Sequence, residues 1–305
     1  MINSERLEKI PTEGPFFLFR SCMVNEFYPA IETAFKKILD ILNIEYYESD
    51  DQICCGGVFS NFEPELSTAA IAAQNFSVIE KITDTILVNC NECFSSLQKA
   101  TEYFKDPKNK SKINNIFKKI NRSFKNSVKI FHVTEFIYKN IDKIKKFIKF
   151  DLNKAKIATF TGCHWLKTHK DIALDNPENP IILDEIVERL GGIAIQYTEK
   201  TLCCGMGYVQ KIIHPDLSLE ISFKKLKSIN YVKPDIILTI CPNCMSVLDT
   251  AQIQIEIEKD IEYQIPVIHL SQLIGLCMGL DPFNELALDL NHIDVTPFLE
   301  KLNLK

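Results

Sequence analysis

The chain has 305 residues, 46% of them hydrophobic and 25% charged, and a formal charge of −5. That length can bury one large core or two smaller ones, and the composition excludes a disordered or collagenous chain. The negative balance argues against nucleic acid as a partner, no apolar run reaches the ~20 residues of a membrane span, and the N-terminus Met1-Ile2-Asn3-Ser4-Glu5-Arg6 lacks a secretory layout, so a cytoplasmic protein is expected.

In chain order, Phe16-Phe17-Leu18-Phe19 predicts a short buried strand ending just before Cys22. Phe27, Ala30, Ile31, Ala34, Phe35, Ile38 and Leu42 then keep helical spacing. After Cys54-Cys55-Gly56-Gly57, the run Ile86-Leu87-Val88 predicts a second strand, leading into Cys90-Asn91-Glu92-Cys93. Residues 101–150 carry 14 Lys and Arg against 4 Asp and Glu. This basic stretch is expected to be a solvated helical face (Lys118, Lys119, Arg122, Lys125) or a docking face for an acidic partner, with steering of an anionic substrate as the alternative. Phe104, Phe117, Phe124 and Phe131 read as a helical core stripe, not as a platform for stacking bases.

The same order then repeats. Ile157-Ala158-Thr159-Phe160 precedes Cys163; Ile182, Ile186, Val187 and Leu190 form an amphipathic helix that Gly191-Gly192 stops; Ile236–Ile240 leads into Cys241-Pro242-Asn243-Cys244. Segments 130–137 and 267–274 echo each other, with Thr134 and Ser271 placed as N-caps of a closing helix. His132 and His269 in these echoes read as structural residues at strand ends. The alternation of strands and helices predicts parallel α/β lobes with the cysteines in loops at the carboxyl ends of strands, where such folds collect ligands.

Eleven cysteines are the outstanding feature, and ten of them fall into two copies of one pattern. Cys22 is followed after 32 positions by Cys54-Cys55, and Cys55 after 35 by Cys90 and then Cys93; Cys163 is followed after 40 by Cys203-Cys204, and Cys204 after 37 by Cys241 and then Cys244. Identities at an offset of 151 (Asp84/Asp235, Ile86/Ile237, Leu87/Leu238, Ser95/Ser246, Leu97/Leu248) confirm a duplication, with copies over about 15–150 and 155–280 and a tail over 281–305. A reducing compartment and a chain this long speak against a disulfide framework. A CxxC alone serves a zinc knuckle or a redox dithiol, but five thiolates exceed the four that zinc takes, and the compact spacing of an ordinary cubane cluster is absent. Soft sulfur donors on iron fit this distributed set best.

This doubled arrangement of a leading cysteine, a Cys-Cys-Gly and a Cys-x-x-Cys resembles the cysteine-rich CCG domains of the heterodisulfide reductase B subunit of methanogenic archaea. The likeness extends to Gly162-Cys163-His164-Trp165, Ile182-Leu183-Asp184-Glu185, Gln272-Leu273-Ile274-Gly275-Leu276 and Leu288-Asp289-Leu290-Asn291, and departs from the family where Gly56-Gly57-Val58-Phe59 follows the first pair. It implies an α/β fold of two pseudo-twofold related CCG lobes, each a small, mainly parallel sheet flanked by helices. It also implies two noncubane 4Fe–4S clusters, one on Cys22, Cys54, Cys55, Cys90 and Cys93, the other on Cys163, Cys203, Cys204, Cys241 and Cys244. The implied activity is reduction of the coenzyme M–coenzyme B disulfide, cleaved between the two clusters. The implied partners are the A and C subunits with a hydrogenase or formate dehydrogenase.

Gly56, Gly57, Gly205 and Gly207 are expected to let the backbone approach a cluster and donate N–H groups to it. His164 is the candidate proton donor nearest in sequence, with a supporting hydrogen bond in a ligand loop as its plainer role. Cys277 lacks a counterpart and reads as a small buried hydrophobe. Two other functions remain open on the sequence: a CCG subunit of a succinate/fumarate-type, quinone-linked or sulfur-oxidising reductase, and a metal-stabilised scaffold without turnover.

Overall fold

Every apolar run singled out ahead of a cysteine is a strand in the computed structural model, which describes residues 2–61 and 64–304. The first sheet contains β1 (Phe16–Phe19), β2 (Tyr46–Tyr47), β3 (Thr85–Val88) and β4 (Lys129–His132), all parallel, in the order β2-β1-β3-β4. The second repeats it with β5 (Lys156–Phe160), β6 (Ile193–Ala194), β7 (Ile236–Thr239) and β8 (Val267–His269) in the order β6-β5-β7-β8. All residues of β1, β3, β7 and β8 are buried, as parallel strands covered on both faces must be. The chain is thus α/β, with two four-stranded parallel sheets flanked by helices.

The helices of the first half are α1 (Ser4–Lys9), α2 (Cys22–Phe27), α3 (Pro29–Ile41), α4 (Glu65–Ile79), α5 (Asn91–Tyr103), α6 (Pro107–Phe117) and α7 (Val133–Lys145). Those of the second are α8 (Ile182–Arg189), α9 (Tyr208–Ile213), α10 (Pro215–Tyr231), α11 (Pro242–Lys259), α12 (Leu270–Cys277) and α13 (Thr296–Lys301). The lobes meet through their helices: α12 packs on α3 and α7 on α8. The Tyr138 hydroxyl on α7 donates to Glu185 on α8 at 2.6 Å. Residues 281–304 lie along the second lobe. There Leu286, Val295, Phe298 and Leu299 are buried, Asn291 donates to the Val267 carbonyl at 2.9 Å, and Lys301 pairs with Asp235 at 2.6 Å. No helix among the described residues is long and apolar enough to cross a membrane.

Four local expectations are corrected. The helical spacing from Phe27 to Leu42 spans a break: Phe27 ends α2 and is exposed, and Pro29 opens α3, because proline suits a helix's first turn. The phenylalanine stripe is a buried cluster but not one helix. Phe104 caps α5, Phe117 ends α6, Phe124 lies in a loop with its ring 4.6 Å from that of Phe104, and Phe131 is in β4. Lys118, Lys119 and Lys125 are exposed but sit on a 3₁₀ turn and the loop after it, not on a helical face. The closing helices also begin one turn-position earlier than expected. His132, not Thr134, is the N-cap of α7, accepting from the Thr134 N–H while Glu135 accepts from the His132 N–H; His269 and Gln272 do the same for α12 in place of Ser271. Gly191, at φ +86°, ends α8 as expected.

Candidate metal centre

In the order β2-β1-β3-β4 the strand order reverses between β1 and β3, the switch point where open parallel sheets leave a crevice at their carboxyl edge. Cys22 follows β1 and Cys90 follows β3; in the second lobe Cys163 and Cys241 follow β5 and β7. Cys90 and Cys241 are also the N-caps of α5 and α11, which puts Cys93 and Cys244 in the first helical turn. Unpaired N–H groups and the positive end of the dipole favour thiolates there.

The ten cysteines form one continuous string. Their thiols influence one another in the order Cys22–Cys54–Cys55–Cys93–Cys90 within the first lobe and Cys241–Cys244–Cys204–Cys203–Cys163 within the second. Cys90 meets Cys241 at the junction, so the halves of the string join across the lobe boundary. Six of the ten are buried, while Cys22 and Cys54 are exposed and Cys163 and Cys203 half-buried, so each half opens to solvent at its outer end. Cys22 and Cys54 line a surface cavity of about 200 Å³ together with Arg20 and Gln52. Among the described residues no three His, Cys, Asp or Glu side chains are grouped to hold one metal ion.

The expected glycines lie against this string. The N–H groups of Gly56, Gly57 and Gly205 donate to the sulfurs of Cys54, Cys55 and Cys203, each at 3.4 Å, and the Gly207 N–H also points to Cys203. Gly56 (φ +76°) and Gly205 (φ +99°) occupy left-handed conformations that L side chains avoid. Hydrogen bonds from Cys22 and Cys55 hold the Cys54 thiol far below its usual range, and those from Cys163 and Cys204 do so for Cys203. The thiols beside them are pushed up in turn. Cys277 is buried, and burial, aided by the charge of Asp151, lifts its thiol to about 12.

Residues from one lobe serve the string of the other. Asn91 Nδ2 donates to the Thr161 carbonyl at 2.7 Å, and Asn243 Nδ2 lies 3.9 Å from the Cys90 sulfur. His164, about a third exposed, sits with Nδ1 3.5 Å from the Cys163 sulfur and 3.1 Å from Glu92 Oε2 of the opposite lobe. Burial raises the Glu92 carboxyl, and the charge of His164 partly opposes this. Glu92, Asn91 and Asn243 were not singled out from the sequence; their place inside the CxxC pairs was the available signal.

His132 and His269 hold structural places as N-caps, yet His132 leaves a buried Nε2 without a hydrogen-bond partner, as does Nε1 of Trp165, whose ring lies 5.6 Å from that of His132. Buried donors are normally satisfied. Orphaned donors beside a string of soft sulfurs and inward-pointing N–H groups fit a bound, electron-rich, sulfur-containing group.

Two parallel lobes that each bring five cysteines to the switch point define a duplicated cysteine-rich domain. The family model described as a cysteine-rich domain, CCG, matches residues 16–98 and again 157–249. The chain is 36% identical over 290 residues to the B subunit of the ferredoxin/F420H2-dependent CoB–CoM heterodisulfide reductase of Methanosarcina acetivorans, covering 93% of this chain and 96% of that protein. It is 33% identical to a protein of Archaeoglobus profundus described as like the heterodisulfide reductase B subunit (87% of this chain, 91% of that one). With the 8-methylmenaquinol:fumarate reductase membrane anchor subunit of Wolinella succinogenes it shares 28% identity (92% and 98%). A hypothetical protein from Helicobacter pylori has the same fold at a TM-score of 0.71 and 12% identity, over 96% of this chain and 56% of that one. The chain belongs to the duplicated CCG cysteine-rich family that includes the heterodisulfide reductase B subunits.

Proposed function

We propose that the chain is the catalytic subunit of a heterodisulfide reductase, reducing the coenzyme M–coenzyme B disulfide. The observation that carries this reading is the string of ten sulfurs running through both lobes and joined at Cys90 and Cys241. Residues 15–150 and 155–280 then act as the two halves of one site, with 281–305 bracing the second. Cys22, Cys54, Cys55, Cys90 and Cys93 would hold one noncubane 4Fe–4S cluster, and Cys163, Cys203, Cys204, Cys241 and Cys244 the other. Five thiols strung in contact suit a polynuclear group better than a single ion. When bound, such a pair of groups supplies one electron each, the two that an S–S bond needs to become two thiolates.

The protein's own part is holding, orienting and tuning. Gly56, Gly57, Gly205 and Gly207 aim backbone N–H groups at the sulfurs. His164 lies between Cys163 and Glu92 at the solvent-facing side, within reach to pass a proton to a departing thiolate. The basic stretch after Tyr103 starts at the far end of the 13-residue α5 from Cys90, about 20 Å along the helix axis, which favours a solvated face or a docking face over substrate steering for its first part. Electrons would come from partner subunits of the A and C type, fed by a hydrogenase or formate dehydrogenase in the cytoplasm.

The relative from Wolinella supports a second reading, a CCG subunit of a quinone- or fumarate-linked reductase. Anaerobic purification with iron, sulfide and zinc analysis comes first. About eight iron and eight acid-labile sulfides per chain are expected, whereas zinc without sulfide would make the protein a scaffold. Turnover of the coenzyme M–coenzyme B disulfide with a one-electron donor then supports the first reading. Turnover only with quinone or with other disulfides would replace it by the second.

A further inference from the structure

The two sets of cysteines match, but the side chains around them differ in charge. Four residues past the leading cysteine stand Glu26 in the first lobe and Lys167 in the second, where Nζ donates to the Thr201 carbonyl at 2.9 Å. Three residues before the vicinal pairs stand Asp51 and Lys200, and two residues past Cys90 and Cys241 stand Glu92 and Asn243. The neighbouring lysines Lys200 and Lys224 have carboxylate partners in Asp184 and Glu199.

Lys225 on α10 is held differently. It is fully buried, and Nζ donates to the carbonyls of Glu199 (2.8 Å) and Lys200 (3.3 Å) and lies 3.8 Å from the ring centroid of Phe160 and 5.4 Å from that of Tyr197. These partners surround the second cysteine set. Phe160 ends β5 just before Thr161-Gly162-Cys163, Glu199 and Lys200 lead into Cys203-Cys204, and one turn back along α10 Ser222 holds the Cys204 carbonyl at 2.8 Å. On α4 of the first lobe the comparable task falls to a neutral side chain: buried Asn75 bonds the Ile53 N–H at 2.9 Å and the Cys54 carbonyl at 3.2 Å.

An ammonium surrounded only by carbonyls and ring faces is costly to bury. Burial drives the Lys225 pKa down to about 7, and the sulfurs of Cys204, Cys244 and Cys203, with a smaller part from the Glu199 carboxylate, pull against it, so most of the compensating charge for this cation is the sulfur string. We propose that Lys225 makes the two iron–sulfur sites unequal: its buried cation stabilises the electron-rich state of the second lobe's group, which takes up electrons at a higher potential than the first lobe's. This rests on the iron–sulfur reading above. The cause is Coulombic, since each added electron is attracted by a fixed positive charge that water does not screen.

The test is a redox titration of the anaerobically purified full chain followed by electron paramagnetic resonance, with signals assigned to lobes in a Cys55→Ala background. Lys225→Gln keeps N–H donors for the two carbonyls and removes the charge. The second-lobe midpoint should fall while the first-lobe midpoint stays, and Lys225→Arg should restore it. An unmoved second-lobe midpoint, or an equal shift of both, overturns the proposal. If Lys225→Gln loses the second-lobe iron altogether, retention in Lys225→Arg upholds the need for a cation there, and loss in both variants overturns it in favour of packing. Unsubstituted protein lacking iron and sulfide would instead sink the iron–sulfur reading itself.

Discussion

Compared end to end, the two lobes diverge most where they connect their third strand to their fourth. The first lobe uses α5, α6 and a 3₁₀ turn between β3 and β4; the second crosses from β7 to β8 on α11 alone. The offset between matching residues falls from 151 before this connection to 137 after it. All of the extra chain lies at the end of α5 remote from Cys90, on the surface, where added loop length costs little. At the cysteine end the lobes agree down to the capping histidine. Besides the charges around the cysteines, the closure differs there. The Glu135 carboxylate of the first capping box is held by Arg6 from the chain's start, at 2.8 Å, whereas Gln272 of the second donates to Leu286 of the C-terminal tail, also at 2.8 Å. Duplication therefore preserved the cysteine pattern and its capping boxes, while the closing contact differs between the lobes.

The largest break in the symmetry should come from Cys55→Ala, which removes the first lobe's iron–sulfur signal and about half of the iron and sulfide. Cys204→Ala should do the mirror-image damage, with both read by metal analysis and paramagnetic resonance. Exchanging the two closures comes next. Gln272→Glu buries a carboxylate against a carbonyl with no cation, at a cost of about 4 kcal/mol, while Glu135→Gln still accepts from Arg6 and costs about 2 kcal/mol; denaturant unfolding orders the two.

The glycine turns offer a finer comparison. A Cβ on Gly205 would meet Ser222 Oγ and come 2.6 Å from the Ser218 carbonyl, both in rigid surroundings, whereas one on Gly56 meets the flexible Ile71 side chain at 3.0 Å. Gly205→Ala should cost about 3 kcal/mol and Gly56→Ala about 1 kcal/mol, read by thermal unfolding.

Burial lowers the capping histidines, His132 to about 3 and His269 to about 4, so both stay neutral in the fold but bind protons once unfolded. Their contribution is complete above about pH 6.5, and stability falls as the pH drops from there toward 4, because the unfolded chain binds the extra protons. Denaturation of the metal-free chain across that range should show a slope that His132→Gln reduces. The smallest effect belongs to Cys277→Ala, about 1 kcal/mol with iron content unchanged. A loss of iron there would break the division into five plus five.

Much of the molecule could be read from local patterns. Each short apolar run ahead of a cysteine became a strand because four or five β-branched and aromatic residues can do little else when buried on both faces. Errors gathered where two local signals competed. Thr134 and Ser271 carry the usual capping side chains, but the histidines two residues earlier already sit at the strand ends and accept from the N–H groups of Thr134 and Ser271, which places those residues inside the helix. Phe27 shares a helical period with α3 while Pro29 cuts the helix before it. Lys225 resembles any solvated lysine on an amphipathic helix, and nothing beside it in the sequence announces its burial.

By itself, then, the sequence determined the duplication, the parallel α/β class and the doubled cysteine pattern, because spacing and periodicity are properties of the chain. Only the tertiary structure decided that the two sets meet at Cys90 and Cys241, that Glu92 reaches His164 across the lobes, and that the second set lies over a buried cation. Those relations join residues 70 to 150 positions apart, or depend on which face of a helix the sheet covers. No local pattern encodes them, since they arise only when elements distant in the chain pack together, across the lobes for the first two and within the second lobe for the third.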